Sequence, residues 1–182
     1  MGDSRQANFV ETCERCRSKC CYHARPPLTK QRAETISRYL KERGEALPTW
    51  TGRYSHPEER ADGYCILFDP ATGLCRVHPV KPETCVAGPI TFDVNRVEGK
   101  LEWYLKTEKI CPLAGEMARD KASLSKHLEA AKREILRLVD ELEGNELRAI
   151  LEIEEDDTFK IGEDPLPERV LKKLRASSYS RR

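Results

Sequence analysis

The chain has 182 residues, of which 38% are apolar and 35% charged, with 32 Lys+Arg against 31 Asp+Glu. That length makes one ordinary domain, or a small domain with a helical appendage. The near-neutral charge sets nucleic acid aside as a partner, because polyanion binders are normally clearly basic. No apolar run approaches the ~20 residues of a membrane-spanning helix, so a spanning role is excluded.

The eight cysteines all fall between Cys13 and Cys111, and the last 71 residues have none. Met1 to Asn8 shows no apolar stretch and no small-residue cleavage site, which predicts a chain that stays in the cytoplasm. Thiols remain reduced there, and clustered cysteines serve metals or redox chemistry more often than structural disulfides. Charge divides the chain at the same place. Residues 1–111 hold 18 basic and 15 acidic side chains, and residues 112–182 hold 14 and 16. The expected organisation is a cysteine-cluster metal-binding domain over 1–111 and a helical region over 112–182 packed on it.

In chain order, Cys13 to Cys21 reads as a turn-rich loop or short helical turn. Thr29 is a good N-cap, and Ala33, Ile36, Tyr39 and Leu40 recur behind it at helical spacing until Gly44 stops the helix. Gly52 to Gly63 reads as a polar loop. Cys65-Ile-Leu-Phe68, the turn Asp69 to Gly73, and Leu74 to Val77 suggest a small β-hairpin. A second pair of strands is expected around Ile90–Val97 and Leu101–Leu105, joined by Glu98-Gly99-Lys100. From Pro112, the apolar positions Met117, Leu124, Leu128, Ala131, Ile135, Leu138 and Leu142 form the seam of one long amphipathic helix ending at Gly144. A shorter helix follows with Leu147, Ile150 and Leu151 on one face. Glu154 to Asp157 reads as an acidic connector. A last helix begins near Pro167 with Val170, Leu171 and Leu174, and Ser177–Arg182 reads as a frayed tail. The fold class expected is α+β, a small cysteine-rich domain with short strands and then a helical C-terminal region.

The chemistry is carried by the cysteines. Cys13 and Cys16 form a C-x-x-C pair, whose turn points both sulfurs one way. Cys20 and Cys21 follow, but neighbouring side chains diverge, so these two serve different ligand sets or only one of them binds metal. Cys65-x9-Cys75-x9-Cys85 makes two loops of equal length, with Cys111 after 25 more residues. All eight are candidate metal ligands, enough for two four-cysteine centres or for one centre with extra redox thiols. Arg15, Arg17, Lys19 and Arg25 flank the first group and would offset thiolate charge. A nucleophilic pairing of Cys20 or Cys21 with His23 ranks below metal binding, because it needs a spatial placement that adjacency does not establish. His23, His56 and His78 read first as surface or supporting residues, with His78 best placed as a ligand between Cys75 and Cys85. Four thiolates suit tetrahedral zinc. The absence of a second C-x-x-C removes the common zinc-ribbon pattern, and iron–sulfur clusters also take four cysteines with irregular spacing.

On these residues the chain resembles the YkgJ-type cysteine-cluster family, the CxxCxxCC zinc- or iron-chelating domain. The matching segments are Cys13-x2-Cys16-x3-Cys20-Cys21, the helix entry Leu28-Thr29, and Cys65-Ile-Leu-Phe-x6-Cys75-Arg-Val-His-Pro-Val-Lys-Pro-Glu-Thr-Cys85. A late cysteine at Cys111 completes the eight that the family carries, and the match covers roughly 10–115. The resemblance implies a metal-binding module, often described as an iron–sulfur protein. Two departures stand out: three residues separate Cys16 from Cys20 where the family name implies two, and Lys81-Pro82 and Val86 stand where the family often has Arg-Pro and Arg. Flagellin lysine methylases are similar in this cysteine domain, but this sequence has no Gly-rich S-adenosylmethionine loop.

The sequence therefore points to an iron–sulfur cluster protein in electron transfer or in support of a partner enzyme. One alternative is a zinc-stabilised module docking a protein partner through its C-terminal helices. Another is a methyltransferase-like modifying enzyme with auxiliary cysteines.

Overall fold

Thr29 starts the first full helix, α2 (Lys30–Lys41), as its position predicts. Its Oγ1 accepts from the backbone N–H of Arg32 at 3.1 Å, satisfying one of the donors a helix start leaves open. The structure is a computed structural model and describes residues 11–17 and 19–176; the expected tail over Ser177–Arg182 lies outside them. The fold is α+β, with seven α-helices and three small antiparallel sheets among the described residues.

The N-terminal part runs through helix α1 (11–16), a 3-10 turn at Lys19–Cys21, and α2. Strands β1 (Thr49–Thr51) and β2 (Ser55–Pro57) then pair, with Trp50 opposite His56, so that β2 stands inside the Gly52–Gly63 stretch expected to be loop and β1 just before it. The expected Cys65–Val77 hairpin forms around its turn. Its strands β3 (Phe68–Asp69) and β4 (Leu74–Cys75) have two residues each. A 3-10 turn at His78–Val80 and helix α3 (Glu83–Ala87) follow.

The larger sheet has the order β5 (Ile90–Asn95), β6 (Lys100–Lys106), β7 (Thr158–Pro165). The first two strands match the expected pair. β7 was not expected: it lies directly after the acidic connector Glu154–Asp157 and before the last helix, where no strand was read. Alternation is strict on β6, where Leu101, Trp103 and Leu105 are fully buried, but β7 at the sheet edge buries no residue fully. An edge strand with one wet face writes no apolar pattern into the sequence.

The long C-terminal helix is also corrected. It is two helices, α4 (Pro112–Arg119) and α5 (Lys121–Glu141), broken at Asp120, whose backbone is extended (φ −116°, ψ 92°). Asp120 Oδ1 accepts from the N–H groups of Ala122 and Ser123, so a side chain that competes with helical hydrogen bonds ends one helix and caps the next. Gly144 does not end α5; it opens α6 (Gly144–Leu151) inside a capping box formed by Glu143 and Glu146. Helix α7 (Glu168–Ala176) lies where the last helix was expected.

Two apolar clusters hold the molecule together. The larger joins Ala87, β5 and β6 to the buried faces of α5, α6 and α7, with Trp103, Ile135, Leu138 and Leu147 fully inside. The smaller packs Leu28, Ile36, Leu40, Leu67 and Val77 with Cys65, and Cys21 and Cys75 lie against it. No helix among the described residues is long and apolar enough to cross a membrane.

Candidate metal centre

Six places along the chain supply the cysteines. Cys13 and Cys16 sit one turn apart on α1, and therefore on one face. Left-handed backbone at Arg17 (φ 53°) and His23 (φ 50°) turns the chain on either side of the 3-10 turn that carries Cys20 and Cys21. Cys65 follows the Tyr22–Tyr64 bridge, and its N–H donates to the Cys21 carbonyl at 2.9 Å. Cys75 ends β4, paired with Phe68. Cys85 lies in the middle of α3, and Cys111 is the N-cap residue of α4.

All eight thiols are free, and the electrostatics show which are neighbours. Burial pushes the Cys13 thiol up to about 11, helped by Cys20, Cys111 and Cys16 and opposed by Lys81. Burial likewise raises Cys111, with Cys20 and Cys16 adding to it. Cys65 is pushed up to about 11 by burial and also feels Cys75. Cys85 is raised by burial, then by Cys20, Cys75 and Cys65. Cys20 and Cys21 share a hydrogen bond between their thiols, which lowers Cys20 and raises Cys21, so the pair gives up one proton readily and holds the second.

Several backbone donors already favour thiolate. The N–H groups of Leu67 and Val77 lower the Cys65 and Cys75 thiols against the rise caused by burial. Those of Ala114 and Leu113 do the same for Cys111 at the start of α4, although no regular capping hydrogen bond forms there. Donors aimed at sulfur suit a metal-bound thiolate, whose charge they partly neutralise.

Three of the four cations expected to serve the cysteines are turned elsewhere, while Lys19 lies beside Cys16. Arg15 lies 3.8 Å from Glu116, Arg25 lies 3.8 Å from Glu59, and Arg17 donates to the Pro70 carbonyl. The cation that acts on four of the thiols is Lys81, which lowers Cys13, Cys20, Cys75 and Cys85. Lys81 is half-buried and has no carboxylate partner among the described residues. Sequence reasoning passed over it. The letter stands in plain view four residues before Cys85, but nothing local says that its side chain faces sulfurs from several parts of the chain.

Glu83 was missed as well. It is fully buried, accepts from Thr29 Oγ1 at 2.8 Å and lies 3.4 Å from Arg32 Nε, while its Oε2 has no partner. Arg32 also bonds Glu134 on α5 and the Lys81 carbonyl. This network pins the segment from Lys81 to Cys85 between α2 and α5.

The histidines take other roles. His23 Nδ1 faces Glu59 at 3.3 Å. His56 is buried, stacked on Trp50, with Nδ1 at 2.8 Å from the Pro57 carbonyl. His78 opens its 3-10 turn, where burial and then Lys81 lower its pKa. Among the described residues no three His, Cys, Asp or Glu side chains converge closely enough to hold a metal ion as they stand. The donor types nevertheless suit a thiolate-bound metal group: eight free thiols, backbone N–H groups that favour thiolate at Cys65, Cys75 and Cys111, and the Lys81 ammonium acting on four of the thiols.

A family model described as "putative zinc- or iron-chelating domain", CxxCxxCC, matches residues 12–112. No curated protein and no solved structure matches the chain. The match takes in every cysteine from Cys13 to Cys111 and more than half of the residues, so this chain belongs to the CxxCxxCC zinc- or iron-chelating family.

Proposed function

We propose that this protein is an iron–sulfur protein that carries electrons for, or otherwise supports, a partner enzyme. Its ligands would be Cys13, Cys16, Cys20, Cys21, Cys65, Cys75, Cys85 and Cys111. The observation that supports this reading is the family match over residues 12–112, within which lie eight free thiols, with the Lys81 ammonium acting on Cys13, Cys20, Cys75 and Cys85. A bound cluster supplies one-electron chemistry at a potential set by its charge, its hydrogen bonds and its exposure.

The chain's own contribution follows from its chemistry. Thiols must lose their protons to bind metal, and burial alone keeps them protonated. The N–H groups of Leu67, Val77, Leu113 and Ala114 and the ammonium of Lys81 work against that tendency. Holding a centre through residues as far apart as Cys13 and Cys111 also links segments that share little apolar core, so ligation supplies folding free energy. Thiols that stay reduced suit the cytoplasm.

Anaerobic purification followed by iron, acid-labile sulfide and zinc determination tests the reading. Iron and sulfide in comparable amounts are expected. Stoichiometric zinc without acid-labile sulfide would overturn it in favour of a structural zinc module.

A further inference from the structure

We infer that two copies of this chain associate edge to edge through β7, which pairs with itself antiparallel about a two-fold axis between Ile161 and Gly162 and joins two three-stranded sheets into one. The inference is independent of the cysteines and of any metal.

β7 is the last strand of its sheet and pairs with β6 alone, so one side of its backbone has no partner strand among the described residues. It has eight residues, and a long edge with unpaired N–H and C=O groups is a template for a further strand. At the two ends of the β6–β7 ladder, the Thr107 N–H donates to the Asp157 carbonyl and the Leu166 N–H to the Gly99 carbonyl, each at 2.8 Å. Successive residues of a strand turn their backbone groups to alternate sides. Counting inward from both ends, Thr158, Lys160, Glu163 and Pro165 turn theirs away from β6, and a bulge at Ile161 takes up the odd residue.

The same bulge sets the faces, since residues opposite one another on paired strands share a face. Lys160 and Glu163 lie across from Tyr104 and Glu102, on the face opposite the core. Phe159, Gly162 and Asp164 lie across from Leu105, Trp103 and Leu101 on the core face, where Ile161 also packs. The two-fold axis sets Lys160 against Glu163, Phe159 against Asp164 and Ile161 against Gly162, and each of these pairs is drawn from one face. A register shifted by one residue sets Lys160 against Asp164 or Gly162, from opposite faces. The axis also brings the free backbone groups together. Those of Lys160 meet those of Glu163, and the Thr158 N–H meets the Pro165 carbonyl. Pro165 has no N–H, which removes one bond at the end of the ladder and none at its centre.

Charge selects a second copy as the occupant. Like charges directly opposite one another repel an incoming strand, and opposite charges favour it. Here Lys160 of each protomer stands across from Glu163 of the other. Within its own chain Lys160 already bonds Glu102 and Glu163, and Glu163 also faces Lys100, so neither group enters the contact as a bare charge. Phe159 adds an apolar part, for it is 45% exposed despite lying on the core face, and a partner strand covers it. One strand pairing is small for a protein interface, so the dimer is weak and concentration-dependent.

Sedimentation velocity on the full chain, purified anaerobically with reductant so that no thiol cross-link contributes, should show a monomer–dimer equilibrium. Lys160→Glu and Glu163→Lys each set like charges opposite one another at both pairs, and each alone should weaken the dimer about tenfold. Mixed in equal amounts, the two variants restore both complementary pairs and should form a heterodimer of wild-type strength. The double variant Lys160→Glu/Glu163→Lys should recover the same strength with itself. A chain that stays monomeric at the highest attainable concentration, or variants that do not complement on mixing, overturns the inference.

Hydrogen exchange on the wild-type protein needs no variant to fold. Raising the concentration should slow the amides of Thr158, Lys160 and Glu163 and leave that of Asp164, which points to β6, unchanged. A dimer in which those amides keep their monomer rates uses another surface and equally overturns the inference.

Discussion

Replacing Arg32 with Met tests whether the segment carrying Cys85 is held by a buried charge network. Glu83 is fully buried, and Arg32, itself largely buried, is the one cation paired with it among the described residues. With the guanidinium gone, Glu83 keeps the Thr29 hydroxyl and its own backbone N–H but no cation, and its Oε2 has no partner even in the intact protein. Glu134 loses the same partner but still has Arg137 at 3.5 Å. Breaking a buried pair from one side costs about 3–5 kcal/mol, because an uncompensated charge stays inside. For a chain of this size that corresponds to a loss of about 6–20 °C in Tm, at roughly 2–4 °C per kcal/mol.

The signature is in the double variant. Adding Glu83→Gln to Arg32→Met removes the stranded charge while leaving an acceptor for Thr29. The double should therefore be more stable than Arg32→Met alone, by about 2 kcal/mol, within the usual range for contacting residues. Urea unfolding of the four proteins of the cycle, all with metal bound, measures this. Additive losses, or an Arg32→Met cost below about 1 kcal/mol, would refute the reasoning, and the network would then be no more than a surface-grade ion pair.

Two further outcomes follow from the larger core. Trp103→Ala removes a fully buried indole and its Nε1–H bond to Asp164 Oδ2 at 2.6 Å, leaving that oxygen to Lys132 at 2.9 Å; a loss of about 3–5 kcal/mol in denaturant unfolding is expected from the lost burial, and a loss under 1 kcal/mol would mean that β6 is not the centre of this core. His127 is depressed below 6.5 by burial, although its Nε2–H faces the Ala87 and Gly88 carbonyls. Its contribution to stability is therefore present above 6.5 and lost as pH falls through the folded value, so the advantage of wild type over His127→Gln should shrink on acidification, and parallel stability–pH curves would contradict this.

Much of the architecture was legible because its causes are local. Thr29 caps α2 with its own hydroxyl, and Ile36 and Leu40 meet the core at helical spacing. The turn at Asp69–Gly73 and the pair β5–β6 are written the same way, in turn residues and alternation. β7 was not legible, because an edge strand with a wet face needs β6 beside it before its backbone is satisfied. The break at Asp120 was visible only as a gap in the apolar seam between Met117 and Leu124. A heptad-like step across it looks continuous until the aspartate is seen to cap.

The cysteines divide in the same fashion. Their number, their confinement to residues 13–111 and the C-x-x-C pair are properties of the letters, and from thiol chemistry alone they point to metal. How α1 meets α4 and how Glu83 and Arg32 hold the segment before Cys85 are set by contacts between residues 54 to 104 positions apart. Chain order carries no record of such contacts. The flanking Arg15, Arg17 and Arg25 are nearest in sequence yet turn to Glu116, Pro70 and Glu59, while Lys81 arrives from the far side of two loops. The sequence alone determined the kind of chemistry, because ligand identity is a property of side chains. Only the tertiary structure decided the arrangement, because proximity across long loops is a property of packing.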